Sequence, residues 1–298
     1  MATPREDAPR STLEGGRLTL ALVGPGALAF LLLFAAPMGI IGIYALLTPG
    51  AQGDPTLPLT LSSLGRSIDP LYLTILLRSL RLALLTTLLT LLIGFPTAWI
   101  LTEMRGWRRD LVLLLLILPS WTNLLVKNYA WIVLLRQEGV LNTVLVGSGL
   151  SDAPLPLLFH EGAVLLGLVH TFLPFMVLPL YAALEKLDPG QIEAARDLGA
   201  GWWARLRRIV LPQCAPGIGA GALLVFIPAL GSFVTPDLLG GARGMMIGNL
   251  IQNQLLLARD WPFAAALALW LTGVSLALIL LALRLGRDGA QGGGGNPA

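Results

Sequence analysis

The residues whose spacing says most lie between Glu193 and Pro212, in the segment EAARDLGAGWWARLRRIVLP. A Glu-Ala-Ala triplet (Glu193, Ala194, Ala195) leads to Gly199, and Ile209, Leu211 and Pro212 close the pattern as Ile-x-Leu-Pro. A bare Glu-Ala-Ala is common by chance; the whole spacing, in a polar basic loop between two apolar segments, is not. The chemistry on offer is docking. Ala194 and Ala195 are small enough to let another backbone approach, while Glu193, Arg196 and Asp197 offer charges to a partner. Reactive constellations are absent. Cys214 is the single cysteine, which excludes an intrachain disulfide and a cysteine metal cluster. The two histidines, His160 and His170, argue against a histidine metal site. No Gly-x-x-x-x-Gly-Lys-Ser/Thr phosphate loop occurs, so the chain cannot hydrolyse ATP itself.

The loop's own letters predict its shape. Asp188 can cap a helix that Pro189 starts, with Gln191 at the capping-box position. That helix runs to about Leu198, and Gly199 and Gly201 supply its stop. A second short helix, Trp202 to about Ile209, ends before Pro212. The Trp202-Trp203 pair and Arg205, Arg207 and Arg208 belong at the lipid headgroup level. The plain alternative is an amphipathic helix lying on the membrane without a partner.

The elements around this loop are membrane spans. Of the 298 residues 55% are hydrophobic and 12% charged, and the mean hydropathy is +0.76. Soluble domains carry roughly a quarter charged residues. Apolar runs place spans near Leu20–Leu46, Leu80–Leu101, Leu111–Leu134, Gly162–Leu184, Gly217–Thr235 and Pro262–Leu283. The runs are too long for barrel strands, so an all-α integral membrane protein with six transmembrane helices follows. The first run is too long for a signal-peptide core and reads as an uncleaved span. Pro25, Pro37, Pro96, Pro119, Pro174, Pro179 and Pro228 fall within spans, as kinks or as ordinary bilayer packing.

Basic residues sort by side. Arg5, Arg10, Arg17; Arg105, Arg108, Arg109; Lys186, Arg196, Arg205, Arg207, Arg208; and Arg284, Arg287 share one side. The other side holds Arg66, Arg136, Arg243 and Arg259. The positive-inside rule therefore places both termini and the Glu193 loop in the cytoplasm. This sorting also explains the pI of about 9.4 without nucleic-acid binding. The outer side carries seven acids, Asp54, Asp69, Glu138, Asp152, Glu161, Asp237 and Asp260, against its four cations.

The spacing from Glu193 to Pro212 resembles the coupling loop of permease subunits of ATP-binding-cassette (ABC) importers of type I, with the MetI-like fold. Pro119 to Trp131, PSWTNLLVKNYAW, and Phe226 to Pro262, FIPALGSFVTPDLLGGARGMMIGNLIQNQLLLARDWP, resemble the first permease subunit of spermidine/putrescine importers. Together the resemblance covers about Leu71 to Leu283. It implies that Glu193, Ala194, Ala195, Arg196, Gly199, Ile209, Leu211 and Pro212 couple to a separate ATPase. It further implies an ABC ATPase dimer, a second permease of different sequence and a periplasmic binding protein as partners, beside membrane lipid. No cofactor is implied for this chain, since the ATPase binds the ATP, and the location is a bacterial inner membrane. Residues 1–18 read as a cytoplasmic tail, 19–70 as the first span and its outer loop, 71–284 as the core domain with coupling loop 185–212, and 285–298 as a disordered cytoplasmic tail.

A polyamine is a flexible cation, so its path should offer aromatic faces and carboxylates. Trp121, Asn123, Asn128 and Tyr129 form a polar-aromatic cluster on the third span, and Phe233 and Asp237 stand at the outer end of the fifth. These six are the pathway candidates. Lys127 repels a cation at short range; it reads as snorkelling outward or pairing with a carboxylate such as Asp237. His170 reads as a packed, neutral helix contact. The rival readings are a permease for an oxyanion, an iron complex or an amino-acid derivative, and an ATPase-independent secondary transporter. The last lacks support, since no internal repeat or buried acidic pair is found.

Overall fold

The computed structural model describes residues 12–50 and 53–291. The tail readings for residues 1–11 and 292–298 lie outside the described residues. In lipid a backbone can satisfy its N–H and C=O groups only within the protein, so the apolar runs fold as helices. Among the described residues five helices are long and apolar enough to cross a membrane, or six if one bent pair counts as a single span. They comprise α1 (Thr12–Ala45), α3 (Pro70–Glu103), the pair α4 (Trp107–Trp121) and α5 (Leu124–Leu135), α7 (Glu161–Leu184), α10 (Leu211–Leu230) and α12 (Trp261–Gln291). Short elements connect them: a β1 (Leu47–Pro49) and β2 (Pro55–Leu59) hairpin, α2 (Ser62–Ser67), α6 (Val140–Gly147), α8 (Pro189–Asp197), α9 (Trp202–Arg205) and α11 (Ile247–Leu256). The hairpin is antiparallel, pairing Leu47 with Leu59 and Pro49 with Pro55.

The core is a three-helix contact. Ala98 and Leu101 of α3, Met176, Val177 and Leu180 of α7, and Cys214 and Val225 of α10 form one buried cluster. α10 approaches α7 so closely at Gly217 that a Cβ there would stand 2.8 Å from the Pro179 carbonyl and 2.5 Å from Ala183 Cβ. Small residues at such crossings let helices gain dispersion contacts that lipid does not supply. Polar residues inside α3 bond their own helix: the buried Thr86 and Thr87 hydroxyls each donate to the carbonyl four residues back at 2.8 Å. α1 lies outside this core. The apolar window within Val23–Ala45 is 0% buried, and its end packs Ile41, Tyr44 and Ala45 on Ala265 and Ala266 of α12. Arg66 joins α2 to α12, 2.8 Å from Asp260 and 3.8 Å above the Phe263 ring. Burial opposes the Arg66 charge, but hydrogen bonds with Tyr72 and Asp260 prevail and hold its pKa above the usual arginine value.

The second span starts at Pro70, well before the predicted Leu80, and three further spans depart from the sequence reading. The third, Leu111–Leu134, is not one straight helix. It breaks after Trp121, and its two halves are bent by 97°. Pro119 and Asn123 are the cause. The Thr122 N–H and hydroxyl both turn back to the Pro119 carbonyl, at 3.3 and 2.7 Å, and Asn123 Oδ1 then caps α5 by accepting the Leu125 N–H at 2.8 Å. Average hydropathy does not register back-to-back caps inside an apolar run. The fifth span ends at Leu230 instead of Thr235, and a π turn, Pro236–Gly240, follows it. The predicted stop before Pro212 does not occur either. α9, a π turn at Leu206–Val210 and α10 run on as one helix, Trp202–Leu230, which holds an apolar stretch long enough to span. Pro212 has no N–H to give and sits in the first turn of α10, where the wider turn before it absorbs the ring. At the other end of the chain, α12 continues to Gln291, past residue 285, where the sequence reading starts the tail.

Candidate coupling site and pathway

The loop around Glu193 is built as a capped helix. Asp188 Oδ1 accepts the Gly190 N–H at 2.9 Å, and Pro189 opens α8. The far end is a Schellman stop: the Gly199 N–H bonds the Arg196 carbonyl and the Ala200 N–H bonds the Ala195 carbonyl, each at 2.9 Å. Gly199 takes a φ of +79°, which an L side chain tolerates poorly. Gly201, read above as part of the stop, has a φ of −63° and instead precedes α9 as its N-cap. Gln191 does not complete a capping box; its Oε1 accepts from Gln213 Nε2 at 2.6 Å, tying α8 to α10.

One face of α8 holds the bundle and the other is open. Ile192 and Leu187 pack against the core cluster. Glu193, Ala194, Arg196 and Gly199 are exposed and Ala195 is half-buried. Leu198, at the C-cap, is 89% exposed. Among the described residues no ion pair engages Glu193, Arg196 or Asp197. A helix with one anchored face, free charges and an apolar knob is suited to receive a partner. Ile209 and Leu211 are half-buried where the loop rejoins α10, and Pro212 is exposed.

Sequence reasoning missed the cleft beside α8. It has a volume of about 390 Å³ and is lined by Trp99, Glu103, Arg109, Tyr181, Glu185 and Glu193, among others. Trp99 Nε1 donates to Glu103 at 2.8 Å, and the Tyr181 hydroxyl donates to Glu185 at 2.9 Å. Arg109 reaches Asp110 at 3.3 Å and Glu185 at 3.7 Å. The i,i+4 spacing of Trp99 with Glu103 and of Tyr181 with Glu185 was the available signal.

The six pathway candidates do not form one cluster. Asn123 spends its side chain on the α5 cap. Asn128 is 1% exposed and donates to the Leu124 carbonyl at 2.9 Å, whereas its neighbour Tyr129 is 57% exposed. Trp121 stands exposed at the break between α4 and α5. Phe233 and Asp237 are exposed after α10; the Phe233 carbonyl accepts from Asn249 Nδ2 at 2.7 Å. Among the described residues no ion pair joins Lys127 to Asp237, and Lys127 is half-buried. His170 is a helix contact, its Nδ1 accepting from Trp131 Nε1 at 3.3 Å. The acids that the sequence reading assigns to the outer side are partly committed. Asp260 pairs with Arg66, Glu161 pairs with both Arg78 and Arg81, and Asp69 caps α3.

Residues 83–287 match the family model described as "Binding-protein-dependent transport system inner membrane component". The chain belongs to this family. This permease is 46% identical over 228 residues to the spermidine/putrescine transport system permease protein PotB of Salmonella typhimurium (strain SL1344), covering 76% of this chain and 79% of that protein. It is 40% identical over 268 residues to PotB of Haemophilus influenzae, covering 90% and 93%. A bacterial ABC transporter structure involved in alginate import superposes with a TM-score of 0.71 at 20% identity, covering 93% of this chain and 97% of that one. That likeness is one of fold. The chain is thus a multi-helix inner-membrane permease of the ABC importer class, and its long helices and exposed loop are those of a transporter.

Proposed function

We propose that this permease carries polyamines, spermidine or putrescine, through an inner membrane as one half of a two-permease pathway. The 46% identity with PotB supports this reading over most of both chains. The chain performs no reaction and holds no cofactor. ATP is bound and hydrolysed by an ABC ATPase dimer, and a periplasmic binding protein delivers the substrate. The second permease is a different polypeptide. Both termini and α8 face the cytoplasm.

In this reading the open face of α8, Glu193, Ala194, Ala195, Arg196 and Gly199, seats in a groove on the ATPase. Closure of the ATPase on ATP moves α8. Ile192 carries that motion into α7, and the Gln191–Gln213 bond carries it into α10. The bent third span, with Trp121, Asn123, Asn128 and Tyr129, and the segment with Phe233 and Asp237 supply the pathway wall. Reconstituted vesicles holding both permeases and the ATPase provide the test. Addition of the cognate binding protein and ATP should drive uptake of labelled spermidine or putrescine. If the binding protein ignores polyamines and binds an oxyanion or a sugar, the substrate assignment is wrong while the importer class stands.

A further inference from the structure

A second cavity lies on the helical turn that joins the coupling loop to α10. Its volume is about 530 Å³ and it is lined by Trp203, Ala204, Arg207 and Arg208. These four positions are i, i+1, i+4 and i+5 and share one face of the helix. The helix widens beside them, where the Leu211 N–H bonds the Leu206 carbonyl five residues back. Ala204 leaves the floor between the arginines and the indole open. No acid occurs from Trp202 to Gln213, and among the described residues no ion pair engages Arg205, Arg207 or Arg208. Trp202 and Trp203 are 62% and 64% exposed and tilted together at 6.0 Å. The apolar stretch of α10 begins immediately after the turn, which sets these side chains at the membrane–water boundary.

We propose that this cavity binds the phosphate of one anionic phospholipid. The forked guanidinium groups of Arg207 and Arg208 would hold the phosphate oxygens, and Trp203 would pack on the glycerol and first acyl carbons. A soluble phosphate needs no exposed indole pair, and a docking protein surface would need acids rather than acyl contact. The lipid pins the turn between α8 and α10 to the headgroup layer. The proposal does not depend on which solute the permease carries.

The test is native mass spectrometry of the assembled transporter in detergent, with phosphatidylglycerol, phosphatidylcholine or inorganic phosphate added. One phosphatidylglycerol per copy of this permease should be retained, in preference to phosphatidylcholine. Arg207→Gln with Arg208→Gln should weaken it at least tenfold. Arg105→Gln with Arg108→Gln removes the same charge from the other cytoplasmic loop and should change it less than twofold. Equal losses in both double variants would reduce the site to surface charge and overturn the proposal. Displacement of the lipid by inorganic phosphate would make it a soluble-anion site. Unchanged lipid binding with loss of the ATPase would assign the arginines to that partner instead. If the glutamine pair fails to assemble, Arg207→Lys with Arg208→Lys keeps the charge and loses the fork. At least a threefold fall is expected there, and wild-type binding refutes the forked site.

Discussion

Gly199 closes α8 at a φ of +79°, with two backbone hydrogen bonds that depend on that conformation. Gly199→Val puts a β-branched side chain where a left-handed backbone costs about 1–2 kcal/mol. No atom lies within 4 Å of a Cβ at this position, so the penalty is conformational and confined to the loop. The variant should insert normally but lose substrate-stimulated ATP hydrolysis, read in reconstituted vesicles. Ala195→Asp acts differently. Ala195 is half-buried in the free chain and would be covered by the docked ATPase. An unpaired carboxylate buried there costs roughly 3–5 kcal/mol, enough to abolish co-purification with the ATPase. Variants that keep ATPase binding and turnover, and lose only substrate affinity, would remove α8 from the coupling role.

At the scale of elements, α7 and α10 cross in close contact at Gly217. Gly217→Val is expected to overpack it by about 1–3 kcal/mol, because Ala183 and the Pro179 carbonyl both stand in the way. Gly219→Val makes the paired control: it sits on the same helix with nothing within 4 Å. Thermal unfolding of the purified permease in detergent should show a lower Tm for the first and little change for the second. The break in the third span makes a separate prediction. Asn123→Ala removes the α5 cap and should cost about 1 kcal/mol locally. Hydrogen exchange of the Leu124–Asn128 amides should rise while that of α7 is unchanged. Equal protection in both proteins would show that the bend stands without the cap.

For the whole molecule the prediction is orientation. Thirteen of the seventeen Lys and Arg residues that flank the apolar runs sort to the side of α8, which predicts that α8 and both termini face the cytoplasm. In a Cys214→Ser background, a cysteine at Ala200 should resist an impermeant thiol reagent added outside intact cells and react after permeabilisation. A cysteine at Asp152, on the opposite side, should react at once. The reverse pattern would invert the molecule and separate α8 from any cytoplasmic ATPase.

Span number, the helical class and the family signature were legible in the sequence because each rests on local quantities. Run length sets whether a segment can cross lipid, and the spacing from Glu193 to Pro212 belongs to one contiguous loop. The caps at Asp188 and Gly199 are local as well, and both were read correctly from neighbouring residues. Only the tertiary structure decided the rest. Gln191 bonds Gln213 twenty-two positions away instead of its own N-cap, because the return of α10 brings that partner within reach. Glu161 meets Arg78 and Arg81 only once α3 and α7 pack. Asn123 and Asn128, which share a short polar stretch, serve a cap and a buried contact because the chain bends between Trp121 and Leu124. Which side chains meet across helices depends on crossing geometry and on where a turn widens. Those follow from the packing of distant segments, which composition and spacing along the chain do not encode.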